Sequence, residues 1–143
     1  MHRYVTTTTL LIAFLSPYAF AESDYSPVYT ACVSSAGGVT SNLSDCGDAE
    51  LAKQDARLNK AYKFAMTVLP AENKRKLRDA QVLWVKFRDA DCGMNYSLTG
   101  GTMDILNGSG CELSMTRERA DSLEWFAEMG AEGVEQGGET DAW

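Results

Sequence analysis

Residues 76–92, KLRDAQVLWVKFRDADC, place the strongest constraint on what this chain can fold into. Leu77, Ala80, Trp84, Phe87 and Asp91 recur at steps of three and four, the period of one helical face, and the first four are apolar. A helix with such a stripe must bury it against a partner. Gln81 and Arg88 flank the stripe, and Cys92 closes the stretch just before Gly93. Upstream, Leu51, Asp55, Leu58, Tyr62, Ala65 and Leu69 keep the same alternation until Pro70, which ends the run. Ala71 and Glu72 then open the second helix, which is expected to run to about Cys92. So short a connection makes the two helices antiparallel neighbours, an αα-hairpin.

The rest of the chain is organised around that hairpin. Residues 22–39 combine Pro27, Cys32, Ser34, Ser35, Gly37 and Gly38 and read as an irregular arm held by its cysteine. Thr40 or Ser41 suits the start of the first long helix, with Asp48 as a later alternative. Residues 93–110 hold five glycines and no sustained period, which predicts a loop with one helical turn around Met103 to Leu106. A third helix is expected from about Glu112 to Met129, with Leu113, Thr116, Ala120, Leu123 and Phe126 or Ala127 on one face, stopped by Gly130. Residues 131–143 hold three glycines and four acids and are expected to be a disordered acidic tail. The expected fold is all-α: a small three-helix domain over residues 22–130, with a long antiparallel αα-hairpin, a glycine-rich loop and a third helix, stapled by two disulfides.

The opening residues supply the cellular context. Residues 1–21 have a basic start at His2 and Arg3, a short apolar run to Leu15 and an Ala19-Phe20-Ala21 ending, the layout of a secretory signal peptide. Its apolar core is too short for a membrane span, so none is expected after cleavage. Removal takes away Arg3 and no acid, moving the net charge from −7 to −8. That charge argues against nucleic acid as a partner and favours rapid encounter with a basic protein. Cys32, Cys46, Cys92 and Cys111 in a chain addressed to the periplasm or the medium predict two disulfides rather than a metal site. Local pairing, Cys32 with Cys46 and Cys92 with Cys111, is favoured because short loops close readily. Hairpin geometry also permits Cys46 with Cys92.

Few residues offer catalysis. The one histidine, His2, leaves with the signal peptide, which removes Ser-His and Cys-His chemistry and a common metal ligand. Asp89, Asp91 and Glu112 lie near the loop as candidate carboxylates, but acids are spread along the whole chain, and no enzyme or cofactor is expected. Asn59, Gln81, Arg88 and Arg119 lie near the apolar stripes and read as a structural polar network fixing how the helices meet. The better binding candidate is the loop, with Asn95, Tyr96, Ser97, Thr99, Gly100, Gly101 and Met103 offering an aromatic anchor and adaptable polar groups. The same glycines would also suit a plain solvated connector.

Several of these residues carry a resemblance. Leu58, Asn59 and Tyr62 form L-N-x-x-Y. Leu77, Ala80, Gln81, Trp84, Phe87, Arg88, Asp89 and Cys92 form L-x-x-A-Q-x-x-W-x-x-F-R-D-x-x-C. Gly100 to Thr102 form G-G-T, followed by Cys111, Thr116, Arg119 and Leu123. The pattern, over about residues 32–126, resembles the lysozyme inhibitor LprI-like N-terminal domain family of small, exported, cysteine-paired helical domains. The chain differs from the family's lipoprotein namesake in lacking a lipobox cysteine and a sizeable second domain. The resemblance implies a binding protein that inhibits lysozyme-type cell-wall glycosidases by occlusion, with a basic enzyme of that type as its protein partner. The alternative is an envelope interaction or immunity protein with another periplasmic partner and no lysozyme inhibition. Oligomeric state is not legible in the residues.

Overall fold

A computed structural model describes residues 25–138, and the expected signal peptide lies outside them. Four helices follow one another: α1 (Pro27–Ser35), α2 (Thr40–Val68), α3 (Ala71–Asn95) and α4 (Met103–Gly138). The chain is all-α, with no strand among the described residues. One helix more than expected appears, because the arm before Gly37 is helical. Pro27 sits in the first turn of α1, where its missing N–H costs nothing, and the Ser26 hydroxyl accepts from the Tyr29 N–H at 3.2 Å. Gly37 and Gly38, at φ of 61° and 74°, turn the chain into α2.

α1 is fastened twice to α2. The Cys32–Cys46 disulfide is one link. The other is Glu50, 1 % exposed, whose carboxylate accepts from the Ser26 N–H at 3.0 Å, the Ser26 hydroxyl at 2.5 Å and the Gln54 amide at 2.9 Å. Burial works to raise the Glu50 pKa, but these bonds and the Lys53 charge outweigh it and hold the carboxyl below its ordinary value.

Three long helices then form an up-down-up bundle. Arg57 of α2 binds Asp121 and Glu124 of α4, and Val68 lies against Gly130, so α2 and α4 run parallel. α3 runs back along α4, with Gln81 bonded to Arg119, Arg88 to Thr116 and Cys92 to Cys111. The main packing joins α2 to α4, and α3 rests on α4 rather than on its sequence neighbour α2. The hairpin expectation is therefore corrected in its packing: the two helices are joined by the short Leu69–Pro70 link, but α4 supplies the contact surface. Small side chains explain why. Ala61 and Ala65 of α2 and Ala120, Ala127 and Gly130 of α4 are all buried, which lets these two backbones approach closely. A Cβ on Gly130 would stand 2.8 Å from Val68 Cγ2.

The core comprises Leu58, Ala61, Ala65, Leu77, Ala120, Leu123 and Ala127, with Tyr62, Met66, Leu69, Trp84 and Phe126 packed around it. The expected α4 stripe is buried at Leu113, Thr116, Ala120, Leu123 and Ala127. The α3 stripe needs correction: Leu77 and Trp84 face the core, whereas Ala80 is exposed and Phe87 is 60 % exposed. The buried side of α3 is rotated toward Gln81, Arg88 and Cys92, which are polar or crosslinked, so apolar periodicity alone pointed slightly off axis. α4 also begins nine residues earlier than expected and continues through Gly138, so residues 131–138 are helical where composition suggested disorder. Residues 139–143 lie outside the described residues.

Leu123→Ala, at a site of zero exposure, is expected to destabilise the protein by about 2–5 kcal/mol. Phe87→Ala should stay within about 0.5 kcal/mol. Urea unfolding of both variants with the disulfides intact checks this contrast.

Candidate functional site

The end of the bundle where α3 passes into α4 carries the expected binding loop, in a shorter form. Asn95 is the last residue of α3 and Met103 the first of α4, leaving 96–102 as the connector. Cys92–Cys111 joins the two helices just behind it. Gly93, Gly108 and Gly110 are helical residues rather than loop residues.

Asp104 organises the connector. Its carboxylate, 3 % exposed, accepts from the Thr99 N–H at 2.9 Å, the Thr99 hydroxyl at 2.8 Å and the Gly100 N–H at 2.7 Å. Gly100 takes φ of 75°, the left-handed conformation that glycine adopts without a Cβ clash. The Thr99 hydroxyl bond, joined by the backbone N–H groups, holds the Asp104 carboxyl below its ordinary pKa against the opposing effect of burial.

Tyr96 is a second fixture. Its ring occupies the space beside Gly108 where a Cβ would fall 2.4 Å from ring carbons. Burial, together with the neighbouring Glu112 carboxylate and the Asp48 charge, raises the pKa of its hydroxyl. Tyr96 is still 41 % exposed, but its ring is part of the loop's support. The free apolar groups are others: Leu98 at 69 %, Met103 at 59 % and Ile105 at 48 % exposure. Leu98 and Ile105 escaped the sequence reading because no period marks them.

The charge around this tip is one-sided. Residues 25–52 and 89–116 contain no lysine or arginine, while Asp45, Asp48, Asp89, Asp91 and Glu112 carry carboxylates in them. Thr102 and Ile105 border a cavity of about 410 Å³ shared with Thr40, Ser44 and Asp45 of α2. This absence of basic residues was readable in the sequence once the two segments are known to meet. Ser97, Thr99, Gly100 and Gly101 all lie on the exposed connector.

The four polar residues expected as a network divide. The Arg119 Nε donates to Gln81 Oε1 at 2.8 Å. Arg88 pairs with Asp89 at 2.8 Å, reaches the Thr116 hydroxyl at 3.4 Å and stacks 5.0 Å from the Trp84 ring centre. Asn59 lies exposed on α2, away from this interface. Among the described residues, no three histidine, cysteine or acidic side chains gather to hold a metal, and no helix is long and apolar enough to cross a membrane.

Asp104→Ala is expected to release the Thr99 and Gly100 amides, raising their hydrogen-exchange rates while the helical core stays protected. In the unmodified protein the clamp should be complete above about pH 4, near the usual aspartate value, and fail only as pH falls through the lowered Asp104 pKa. Amide chemical shifts of residues 99 and 100 across that range check the sign.

Comparison with known proteins places the chain. No solved structure matches it. An uncharacterized protein of Rhizobium meliloti (strain 1021) is 29 % identical over 101 residues, covering 61 % of this chain and 73 % of the relative. The family model described as lysozyme inhibitor LprI matches residues 32–123, from the first cysteine to the buried Leu123. By that match the chain belongs to the lysozyme inhibitor LprI family.

Proposed function

We propose that the protein inhibits a basic, lysozyme-type cell-wall glycosidase by seating the 96–105 tip in or over the enzyme's substrate cleft. The observation that carries this reading is an exposed apolar tip, Leu98, Met103 and Ile105, on an end of the bundle built from segments free of basic residues. Family membership supplies the target class. The disulfide, the Asp104 clamp and the seated Tyr96 ring support it by reducing what the loop would lose in freedom on binding.

The mode is occlusion. A carboxylate-rich rim steers a basic enzyme onto the tip, and the apolar side chains fill the cleft once water is expelled. The inhibitor supplies no reacting group; Asp91 and Glu112 act through their charge, whereas Asp89 is paired with Arg88. The paired cysteines fit an oxidising compartment, so the site of action is the periplasm or the medium.

Residues 22–143, titrated against several lysozymes on peptidoglycan, should protect the substrate from at least one basic enzyme. Protection should weaken at high salt through slower association. Leu98→Lys should abolish protection with the helical circular dichroism unchanged. Indifference to every lysozyme, with capture of another envelope protein, would instead favour the interaction or immunity reading.

A further inference from the structure

At the far end of α3 lies a second feature that the inhibitory tip does not use. Arg119 is a half-buried cation with no carboxylate partner among the described residues. Its Nε is satisfied by Gln81, but Nη2 is shielded from solvent and meets no acceptor. Burial lowers its pKa, as expected where a guanidinium loses water without gaining an anion. The guanidinium thus keeps its charge at partial burial with no anion beside it, and an anion at the cavity that Arg119 lines would offset part of that cost.

Arg119 lines a cavity of about 270 Å³ between α3 and α4, with Leu69, Leu77, Ala80 and Phe126 as apolar walls and Asn73 and Lys76 at its rim. Lys76 is 70 % exposed and paired only with Glu72 on the surface, a weak link that a stronger anion can replace. The cavity runs on into a groove of about 580 Å³, sharing Leu69, Asn73 and Phe126 with it and extending past Trp125, Met129 and Val134. Along that groove the side chains are almost wholly apolar, with the Trp125 indole and Asn73 as its hydrogen-bonding groups. A molecule with one charged head and an unbranched apolar body matches the pattern: cations at one end, hydrocarbon along the rest.

We propose that this groove binds a free single-chain carboxylate amphiphile, its head on Arg119 and Lys76 and its alkyl chain along Leu69, Phe126 and Trp125. The site stands about 20–30 Å along α3 from the connector, at 1.5 Å per residue, so it is separate from the inhibitory tip. Its success or failure leaves the lysozyme reading untouched.

Decanoate, decanol and decyltrimethylammonium, each below its micelle concentration, are titrated into the protein while tryptophan fluorescence and calorimetric heat are followed. Decanoate should bind at one site and change the fluorescence, with hexanoate weaker for lack of chain length. The cationic amphiphile should bind least. Arg119→Gln should weaken decanoate about ten- to a hundredfold, the loss expected for a charge-assisted contact, and leave decanol unchanged. Lys76→Gln, on the exposed rim, gives a second variant whose fold is not at issue, and it should weaken decanoate by a smaller factor. No decanoate binding would overturn the proposal. So would equal affinity for all three head groups, or binding seen only with vesicles of anionic phospholipid.

Discussion

The contact on which the rest of the structure depends is the close approach of α2 and α4. Two parallel helices that are not neighbours in sequence meet through Ala61, Ala65, Ala120, Ala127 and Gly130, side chains small enough to bring the backbones together. Leu58 and Leu123 fill the space this seam leaves, and Arg57 closes its solvent edge by binding Asp121 and Glu124. The Glu124 and Asp121 carboxylates raise the Arg57 pKa against the opposing effect of burial. α3 is added to this pair rather than forming it. It touches α4 along one side through Leu77, Gln81, Trp84, Arg88 and Cys92, and leaves Leu83, Phe87 and Met94 to solvent.

That arrangement separates support from presentation. The seam and its core hold three long helices at a set height. The two disulfides and the buried carboxylates Glu50 and Asp104 then fix the segments that helical packing alone would leave loose. Each carboxylate works in the same way, accepting several N–H and O–H donors from a short stretch of chain and holding it against a helix. At one end of the bundle the result is a rigid connector with carboxylates around an apolar tip. At the other, the α3 N-terminal half carries Lys74, Arg75, Lys76 and Arg78, of which Lys76 lines the apolar cavity. Acids are interspersed there, with Glu72 and Asp79 on α3 and Glu118, Asp121, Glu124 and Glu128 on α4, so the excess negative charge gathers at the connector end.

Much of the fold was legible because it rests on period and spacing. Leu58, Leu113, Thr116, Ala120 and Leu123 lie where the alternation of threes and fours puts them, and Pro70 separates α2 from α3. What escaped rests on single contacts that leave no periodic trace. Pro27 reads in the sequence as part of an irregular arm, although after Ser26 it opens a capped helix. Gly108 looked like a loop glycine, yet it makes room for the Tyr96 ring inside a helix. Phe87 looked like core because its neighbours at helical spacing are apolar, while the true buried side of α3 is partly polar. The connector lies between Cys92 and Cys111, as the glycines indicate, but is shorter than they suggest, and the roles of Leu98, Ile105 and Asp104 emerge only in three dimensions.

In the proposed function the scaffold presents the 96–105 tip to a basic lysozyme-type enzyme. Hydrogen-exchange mass spectrometry of the protein with and without a saturating inhibited lysozyme tests it most directly. New protection is expected over residues 96–105 and the start of α2, with α3 before Arg88 unchanged, and matching protection of the enzyme around its substrate cleft. Protection confined to the exposed outer side of α3, or a tip that exchanges equally fast in the complex, would contradict it.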